Sequence, residues 1–163
     1  MTAVIQRVLR ASLTADGAAR GEIGQGLYIL IGVEAGDTEE DAELLAGKIA
    51  RLRIFSDADG KMNLSVQDVK GSGYVVSNFT LAADYSHGNR PAYTLAAPPT
   101  EARALYDCFV TLFRAQVPTV LTGVFGADMQ SELVTDGPVT IVMNSSVLGG
   151  HSAVWDTLKK GRS

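Results

Sequence analysis

The chain of 163 residues contains one cysteine, two histidines and no long hydrophobic run. A single cysteine, Cys108, excludes an internal disulfide and a zinc or iron–sulfur site built from cysteines. With only two histidines, His87 and His151, we expect no histidine-based metal centre, and we predict neither a metal ion nor a cofactor. The longest apolar run, residues 27–33, has the length of a strand, whereas a membrane helix needs about 18 apolar residues.

The composition is that of one folded domain. The hydrophobic content is 46% and the net charge is -4, a combination typical of a globular protein. The amino-terminal residues lack a basic lead, an apolar block and a small-residue cleavage site, so we expect no signal peptide and a cytoplasmic location. The acidity argues against broad binding to nucleic acid through many phosphate contacts, but it is compatible with a site that holds only the end of an RNA.

The chain divides at its carboxyl-terminal end. We predict a domain over residues 1–144 and a C-terminal extension over 145–163, which is mildly basic and flexible, with a hinge at Gly149-Gly150. Two interpretations are open for this extension. It is a loosely docked terminus, or its cations contact RNA phosphates; those cations are Lys159, Lys160 and Arg162.

Hydrophobic patterns predict several strands and two helices, hence an α+β domain that is mostly β, with both helices packed on the sheet. The first helix begins at Thr38, where Thr38-Glu39-Glu40-Asp41 resembles a capping box. The second helix covers residues 100–115, with Thr100 as its cap. The predicted strands cover residues 3–9, 27–33, 74–81, 119–122, 130–135 and 139–143.

The familiar catalytic motifs are absent, because the chain has no GxSxG, no phosphate-binding glycine loop and no HExxH. Ser77 with His87 is a conceivable nucleophile and base, but their spacing does not support the pair. Asp57 and Asp59 are expected to form a turn, since the other ligands of a calcium loop are missing. Cys108 is expected to be a buried, inert thiol on the second helix.

Two segments suggest more than structure. In Ser77-Asn78-Phe79-Thr80-Leu81 a hydrophobic strand runs into polar side chains, which would present backbone N–H groups and hydroxyls as in an oxyanion hole. The structural alternative is an ordinary edge strand with one polar face. In the segment 135–140, Asp136-Gly137-Pro138 interrupts two strand-like runs and is typical of a turn.

Several motifs together make the chain resemble the D-aminoacyl-tRNA deacylase family of bacteria and eukaryotes. The resemblance extends in order over about residues 1–143. Its motifs are Ile5-Gln6-Arg7-Val8, Gly24-x-Gly26-Leu27, Arg53-Ile54-Phe55-x-Asp57-x-x-Gly60-Lys61-Met62-Asn63, Ser77-x-Phe79-Thr80-Leu81, Gly88-Asn89-Arg90-Pro91, Gly123-x-Phe125-Gly126-Ala127-Asp128-Met129 and Asp136-Gly137-Pro138-Val139-Thr140.

The resemblance implies an enzyme that hydrolyses the ester of D-aminoacyl-tRNA, and of glycine misloaded on alanine tRNA, while rejecting L-aminoacyl-tRNA. It implies a homodimer whose active site is shared across subunits. Gly137-Pro138 would be a cis dipeptide whose carbonyls enter the partner's pocket and leave no room for an L side chain. Arg7 would support that loop; the alternative for Arg7 is a simple salt bridge at the sheet edge.

The resemblance also assigns the remaining site residues. Ser77, Phe79 and Thr80 would form the catalytic wall, and the 2′-hydroxyl of the RNA would help to activate water. Met129 would line the adenine pocket, with core packing as the alternative. Asn78 would be a further substrate-binding residue, at a position where the family usually has Gln. Tyr93 stands where the family often has Phe.

Two other functions are weighed against this interpretation. One is a non-catalytic nucleic-acid-binding dimer of the same fold, and the other is a hydrolase of small esters, which the lack of a side-chain nucleophile disfavours.

Overall fold

A computed structural model describes residues 1–160, except for the side chains of residues 156 and 158–160. Over that range the chain forms eight strands and three α-helices, which confirms the predicted α+β class. They are β1 (Thr2–Ala15), β2 (Ala18–Ile23), β3 (Gly26–Gly32), α1 (Glu39–Ala50), β4 (Phe55–Ser56), β5 (Met62–Leu64), β6 (Ser72–Ser77), α2 (Pro99–Arg114), β7 (Val120–Thr122), β8 (Met129–Asn144) and α3 (Ala153–Lys160). Among these residues no helix is long and apolar enough to cross a membrane.

The main sheet is built around β1. Along one edge of β1, the first half pairs antiparallel with β3 and the second half pairs antiparallel with β2. The other edge of β1 pairs antiparallel with β8 along the whole strand. Beyond β3 the sheet continues with β6 and β7, which are parallel to it and to each other. Parallel neighbours need a crossover connection, and α1 and α2 provide the two crossovers.

Apolar side chains cover both faces of this sheet. Ile5 and Ile29 belong to the main core, which also takes the buried faces of α1 and α2. Val8, Leu13 and Tyr28 belong to a second cluster on the other side. Since successive strand residues point to opposite faces, β1 contributes apolar side chains to both clusters.

The helix starts follow from local chemistry. The Asp41 carboxylate accepts the Thr38 N–H at 2.8 Å and the Thr38 hydroxyl at 3.0 Å, so the predicted start of α1 is confirmed. The predicted cap of α2 is wrong: Pro98 is the N-cap residue and Pro99 is the first helical residue. Proline suits that first position, because its fixed φ is already helical and its missing N–H has no partner to lose.

Two predicted strands have different limits in the structure. The strand expected over 74–81 ends at Ser77, and residues Phe79–Ala82 form a 3-10 turn instead. The two strands expected on either side of Asp136-Gly137-Pro138 are one strand, β8. Its pairing with β1 is restored after the interruption, because β1 lies opposite both halves.

The segment after β8 folds back on the domain. It forms a 3-10 turn, Ser145–Leu148, and then α3. The fully buried Glu34 carboxylate accepts the Ser152 hydroxyl at 2.6 Å and the Val154 N–H at 3.0 Å, and Asp41 accepts the His151 N–H at 2.7 Å. The side chains of Lys159 and Lys160, and all of Arg162, lie outside the described structure, and the division at residue 144 stays a prediction.

Candidate active site

A cavity of about 550 Å³ opens where β6 ends, a volume suited to a small ligand. Its floor includes Tyr28 and Val76 from neighbouring strands of the sheet. One wall is the segment 77–80, and the opposite wall is the segment 125–129, which leads into β8. The cavity therefore lies at the carboxyl end of a buried parallel strand, where backbone groups are released from strand pairing.

Asn78 shapes the first wall. Its side-chain oxygen accepts the Thr80 N–H at 3.2 Å and also the Thr80 hydroxyl. This is an N-cap contact, which turns the chain out of the extended conformation of β6. The sequence pattern predicts a continuous strand because it weighs the apolar residues and not this local hydrogen bond.

Within the described residues, two backbone N–H groups, those of Ser77 and Phe79, have no acceptor in the sheet or in the turn. The backbone N–H of Asn78 donates to the Ile31 carbonyl of β3 at 2.8 Å. On the opposite edge of β6, the Val75 carbonyl accepts the backbone N–H of Gly123, which follows β7, at 3.0 Å. Residues two apart in a strand share an edge, so the Ser77 N–H points to the β7 side, where β7 has already ended. Phe79 opens the 3-10 turn, and its N–H has no acceptor inside that turn.

A second cluster lies around Arg7. Gln6 pairs with Thr140 and Val8 with Thr135, so the single residue Arg7 faces four residues of β8, 136–139. These four residues form a bulge, and Pro138 within it has no N–H to offer to β1.

The Arg7 side chain holds the base of this bulge. Its Nε lies 3.2 Å from the Asp136 carbonyl oxygen and 3.0 Å from the Asp136 carboxylate, and its Nη1 donates to the Ile54 carbonyl at 2.6 Å. Arg7 is 8% exposed, so these contacts lie inside the protein. Arg7 thus has both an ion pair and two backbone acceptors, which is more than the edge salt bridge considered from the sequence.

Gly137 requires the absence of a side chain. Its φ is +129°, a value that L side chains rarely adopt, and an added Cβ would lie 2.7 Å from the Val139 nitrogen. The Gly137-Pro138 bond is cis, and both residues are exposed. The bulge therefore presents backbone, rather than side chains, to its surroundings.

The predicted site residues fall into two groups. Around the cavity lie Ser77, Asn78, Phe79, Thr80 and Met129, while Arg7, Gly137 and Pro138 are absent from the lining of this chain's own cavity. Met129 belongs to the second wall, and a Cβ added at Gly123 would lie 2.6 Å from its sulfur.

Sequence reasoning missed a polar pair in the cavity. The Tyr28 hydroxyl lies 2.6 Å from the Ser131 hydroxyl, and both residues line the cavity. Burial raises the pKa of Tyr28, and the Ser131 contact opposes that shift only in part. A tyrosine within the otherwise apolar strand β3 is the signal that could have revealed the pair.

The cavity offers little for metal or proton-transfer chemistry. Over residues 1–160 no group of three His, Cys, Asp or Glu side chains comes together to hold a metal ion. Its titratable lining residues are Tyr28 and Asp128. The proposed pair of Ser77 and His87 finds no support, because His87 does not belong to the lining.

A largely apolar cavity with backbone N–H groups at one wall and few titratable residues fits a hydrolase that binds its substrate through backbone donors. Comparison with known proteins identifies the family: residues 4–144 match the family described as D-Tyr-tRNA(Tyr) deacylase. Relatives named D-aminoacyl-tRNA deacylase support it. The protein of Dehalococcoides mccartyi strain BAV1 is 55% identical (89% of this chain, 95% of that protein), and that of Chloroflexus aurantiacus is 57% identical (91% and 92%). The chain belongs to the D-Tyr-tRNA(Tyr) deacylase family and is an enzyme of that family.

Solved structures show the same fold. A protein named c-Myc DNA Unwinding Element Binding Protein is 39% identical, with a TM-score of 0.83 over 88% of this chain and 98% of its own. A structure described as a probable eukaryotic D-amino acid tRNA deacylase is 16% identical, with a TM-score of 0.77 over 88% of this chain and 100% of its own, and supports the fold alone.

Proposed function

We propose that the chain hydrolyses the ester between a D-amino acid, or glycine misloaded on alanine tRNA, and the terminal adenosine of tRNA. Water adds to the ester carbonyl, the bond to the ribose oxygen breaks, and that oxygen takes the proton. The products are the free amino acid and the free tRNA. The observation that carries the proposal is the cavity wall at residues 77–80, in a chain of this family.

The Ser77 and Phe79 N–H groups are the donors for the developing oxyanion. Fixed donors of this kind stabilise negative charge without reorganisation, and loss of one typically lowers kcat by about 100- to 1000-fold. The Thr80 N–H is already bonded to Asn78, so Thr80 acts in positioning. The RNA 2′-hydroxyl then assists the attacking water, since the cavity supplies no pair of acid and base.

Chirality is set by the bulge of a second subunit. Gly137 and Pro138 are exposed and anchored by Arg7, yet they do not line the cavity of their own chain, so they act in the partner's cavity. Their carbonyls bind the substrate amino group and exclude an L side chain. Two exposed apolar side chains on β8 support such a homodimer: Val134 is 38% exposed and Val142 is 66% exposed.

Met129 packs against the adenine of the terminal nucleotide, where a flexible thioether suits a flat ring.

Reaction of the purified protein with D-tyrosyl-tRNA and L-tyrosyl-tRNA tests the function: we expect loss of the D ester only. Analytical ultracentrifugation tests the dimer, and a monomer at assay concentration with full selectivity would contradict the shared site.

One alternative has a specific observation behind it, the 39% identical protein named for binding a DNA unwinding element. A duplex-DNA binder would show tight binding with a steep dependence on salt. We expect weak binding of duplex DNA, in keeping with the net charge of -4.

We also propose that the deacylase acts in the cytoplasm.

A further inference from the structure

Exposed aromatic rings continue outward from the cavity. Phe79, which lines it, is 57% exposed and makes an edge-to-face contact with Tyr93 at 5.1 Å between ring centroids. Tyr93 is itself 40% exposed, and Tyr85 in the same loop is 71% exposed. Large apolar rings left in water beside a cavity typically mark a binding surface.

Backbone pairing fixes the segment that carries the two tyrosines. Asp84 and Ala92 exchange two hydrogen bonds, at 2.7 and 2.8 Å, and form an antiparallel bridge. Because the segments run antiparallel, Tyr85 and Tyr93 lie on opposite sides of this bridge, in the diagonal relation that aromatic side chains can still span. The bridge therefore fixes the spacing of the two tyrosines, with Tyr93 in contact with Phe79.

A cation lies at the opposite wall. The Arg103 guanidinium is 5.8 Å from the ring of Phe125, which lines the cavity. Its ion pair with Asp107 is long, at 3.6 Å, and both side chains are more than half exposed. Such a pair contributes little, so the guanidinium is available to an anionic ligand.

These features match an unpaired nucleotide better than a duplex. Single-stranded RNA is bound by stacking its bases on aromatic rings, with an arginine at the phosphate. An acidic protein gains little from general phosphate attraction, so stacking must supply the affinity for RNA. Tyr85 and Tyr93 do not line the cavity, so they are placed to contact the nucleotide that precedes a terminal adenosine bound inside it.

We propose that Tyr85, Tyr93 and Arg103 form a binding site for the unpaired nucleotide that precedes the terminal adenosine. The inference rests on the proposed function for the identity of its ligand. The base stacks on the tyrosines, and its phosphate contacts Arg103. Tyr85 is the sharpest probe, because it lies outside the cavity lining and its exposed ring contributes little to folding.

The test is a binding measurement that needs no hydrolysis. Calorimetry compares adenosine with the trinucleotide CpCpA for the wild-type protein, Tyr85→Ala and Tyr85→Phe, with Val147→Ala as a control for loss of an exposed apolar side chain remote from the cavity lining. Stacking contributes about 1–3 kcal/mol per base, so CpCpA should bind about 5- to 100-fold more tightly than adenosine. Tyr85→Ala should reduce that preference at least fivefold, whereas Tyr85→Phe and Val147→Ala should keep it.

Salt dependence separates stacking from the phosphate contact. Arg103→Gln should lower the slope of log affinity against log salt for CpCpA, while Tyr85→Ala should leave that slope unchanged. Equal wild-type affinity for adenosine and CpCpA, or a preference that survives in Tyr85→Ala, would overturn the inference. Hydrolysis of D-tyrosyl-tRNA is measured separately. A protein that prefers CpCpA but does not hydrolyse the ester would refute the proposed function. A protein that hydrolyses the ester but shows no preference for CpCpA would refute this binding site.

Discussion

Replacement of Arg7 separates the anchoring of the bulge from the rest of the fold. Arg7→Gln removes the cation that holds Asp136 and Ile54, and Arg7→Lys keeps the charge but not the planar group that reaches several acceptors. Arg10→Gln is the matched control, because Arg10 lies on the same strand but its partner Glu22 is 3.4 Å away and both are about half exposed.

The expected loss of stability follows from these contacts. A buried hydrogen bond from a charged group contributes about 1.5–3 kcal/mol, and a carbonyl left unpaired costs about 1–3 kcal/mol. The Asp136 side chain is 35% exposed, so water replaces much of its ion pair. The free energy of unfolding should fall by about 2–4 kcal/mol in Arg7→Gln, which for this length lowers Tm by about 5–15 °C. Arg10→Gln should change it by less than about 0.5 kcal/mol.

Selectivity is the readout that a purely structural role would not move. Well below the Tm of each variant, kcat/KM is measured for D-tyrosyl-tRNA and L-tyrosyl-tRNA. Because a displacement of about 1 Å near the reacting atoms can cost about 100-fold, Arg7→Gln should lower the ratio of D to L hydrolysis at least tenfold. A destabilised Arg7→Gln protein with the wild-type ratio would refute the anchoring argument.

Four further predictions follow from single contacts. Asn78→Ala removes the side-chain cap on the Thr80 N–H, so the free energy of unfolding measured by chemical denaturation should fall by about 1 kcal/mol. The substitution should also lower kcat more than it raises KM, and an unchanged kcat would contradict the positioning role. Gly137→Ala should lower kcat/KM for D-tyrosyl-tRNA at least tenfold, as a Cβ there is strained, whereas Gly24→Ala, with no atom within 4 Å of its added Cβ, should not. Burial raises the pKa of Asp41, but the hydrogen bonds that its carboxylate accepts outweigh this effect and hold the pKa below 3.8. The ionised carboxylate therefore stabilises the fold above pH 3.8, and this stabilisation is lost as the pH falls through the folded-state pKa. Asp41→Asn should flatten the fall in unfolding free energy below that pH, and an unaltered pH profile would exclude the contribution. Binding of duplex DNA in 50 mM salt should stay weak, and tight binding with a steep salt slope would favour the alternative function.

The sequence motifs include the segment that forms one wall of the cavity, but they do not reveal the shape of that wall. The apolar, β-branched and aromatic residues of this segment predict a strand through Leu81, since such a pattern cannot show when a side chain competes for the backbone. Asn78 does so in the structure, by accepting the Thr80 N–H and ending the strand at Ser77. The polar residues that marked this segment as unusual are therefore the ones that form the turn.

Long-range pairing explains the other differences. Gly137 and Pro138 are turn residues by local chemistry, yet β1 lies opposite both flanking runs and makes them one strand. The contacts of Arg7 join residues that are 47 and 129 positions away in the chain, so spacing alone could not reveal them. The sequence likewise predicts Tyr28 as part of an apolar strand, and its contact with Ser131 depends on the pairing of β8.

The most direct test of the whole account is hydrolysis of D-tyrosyl-tRNA and L-tyrosyl-tRNA by the wild-type protein in parallel, with a metal chelator present. We predict rapid loss of the D ester and a stable L ester, because catalysis relies on backbone donors and selectivity on the Gly137-Pro138 bulge. Loss of both esters would contradict the chiral role of that bulge, and loss of neither would contradict the proposed reaction itself.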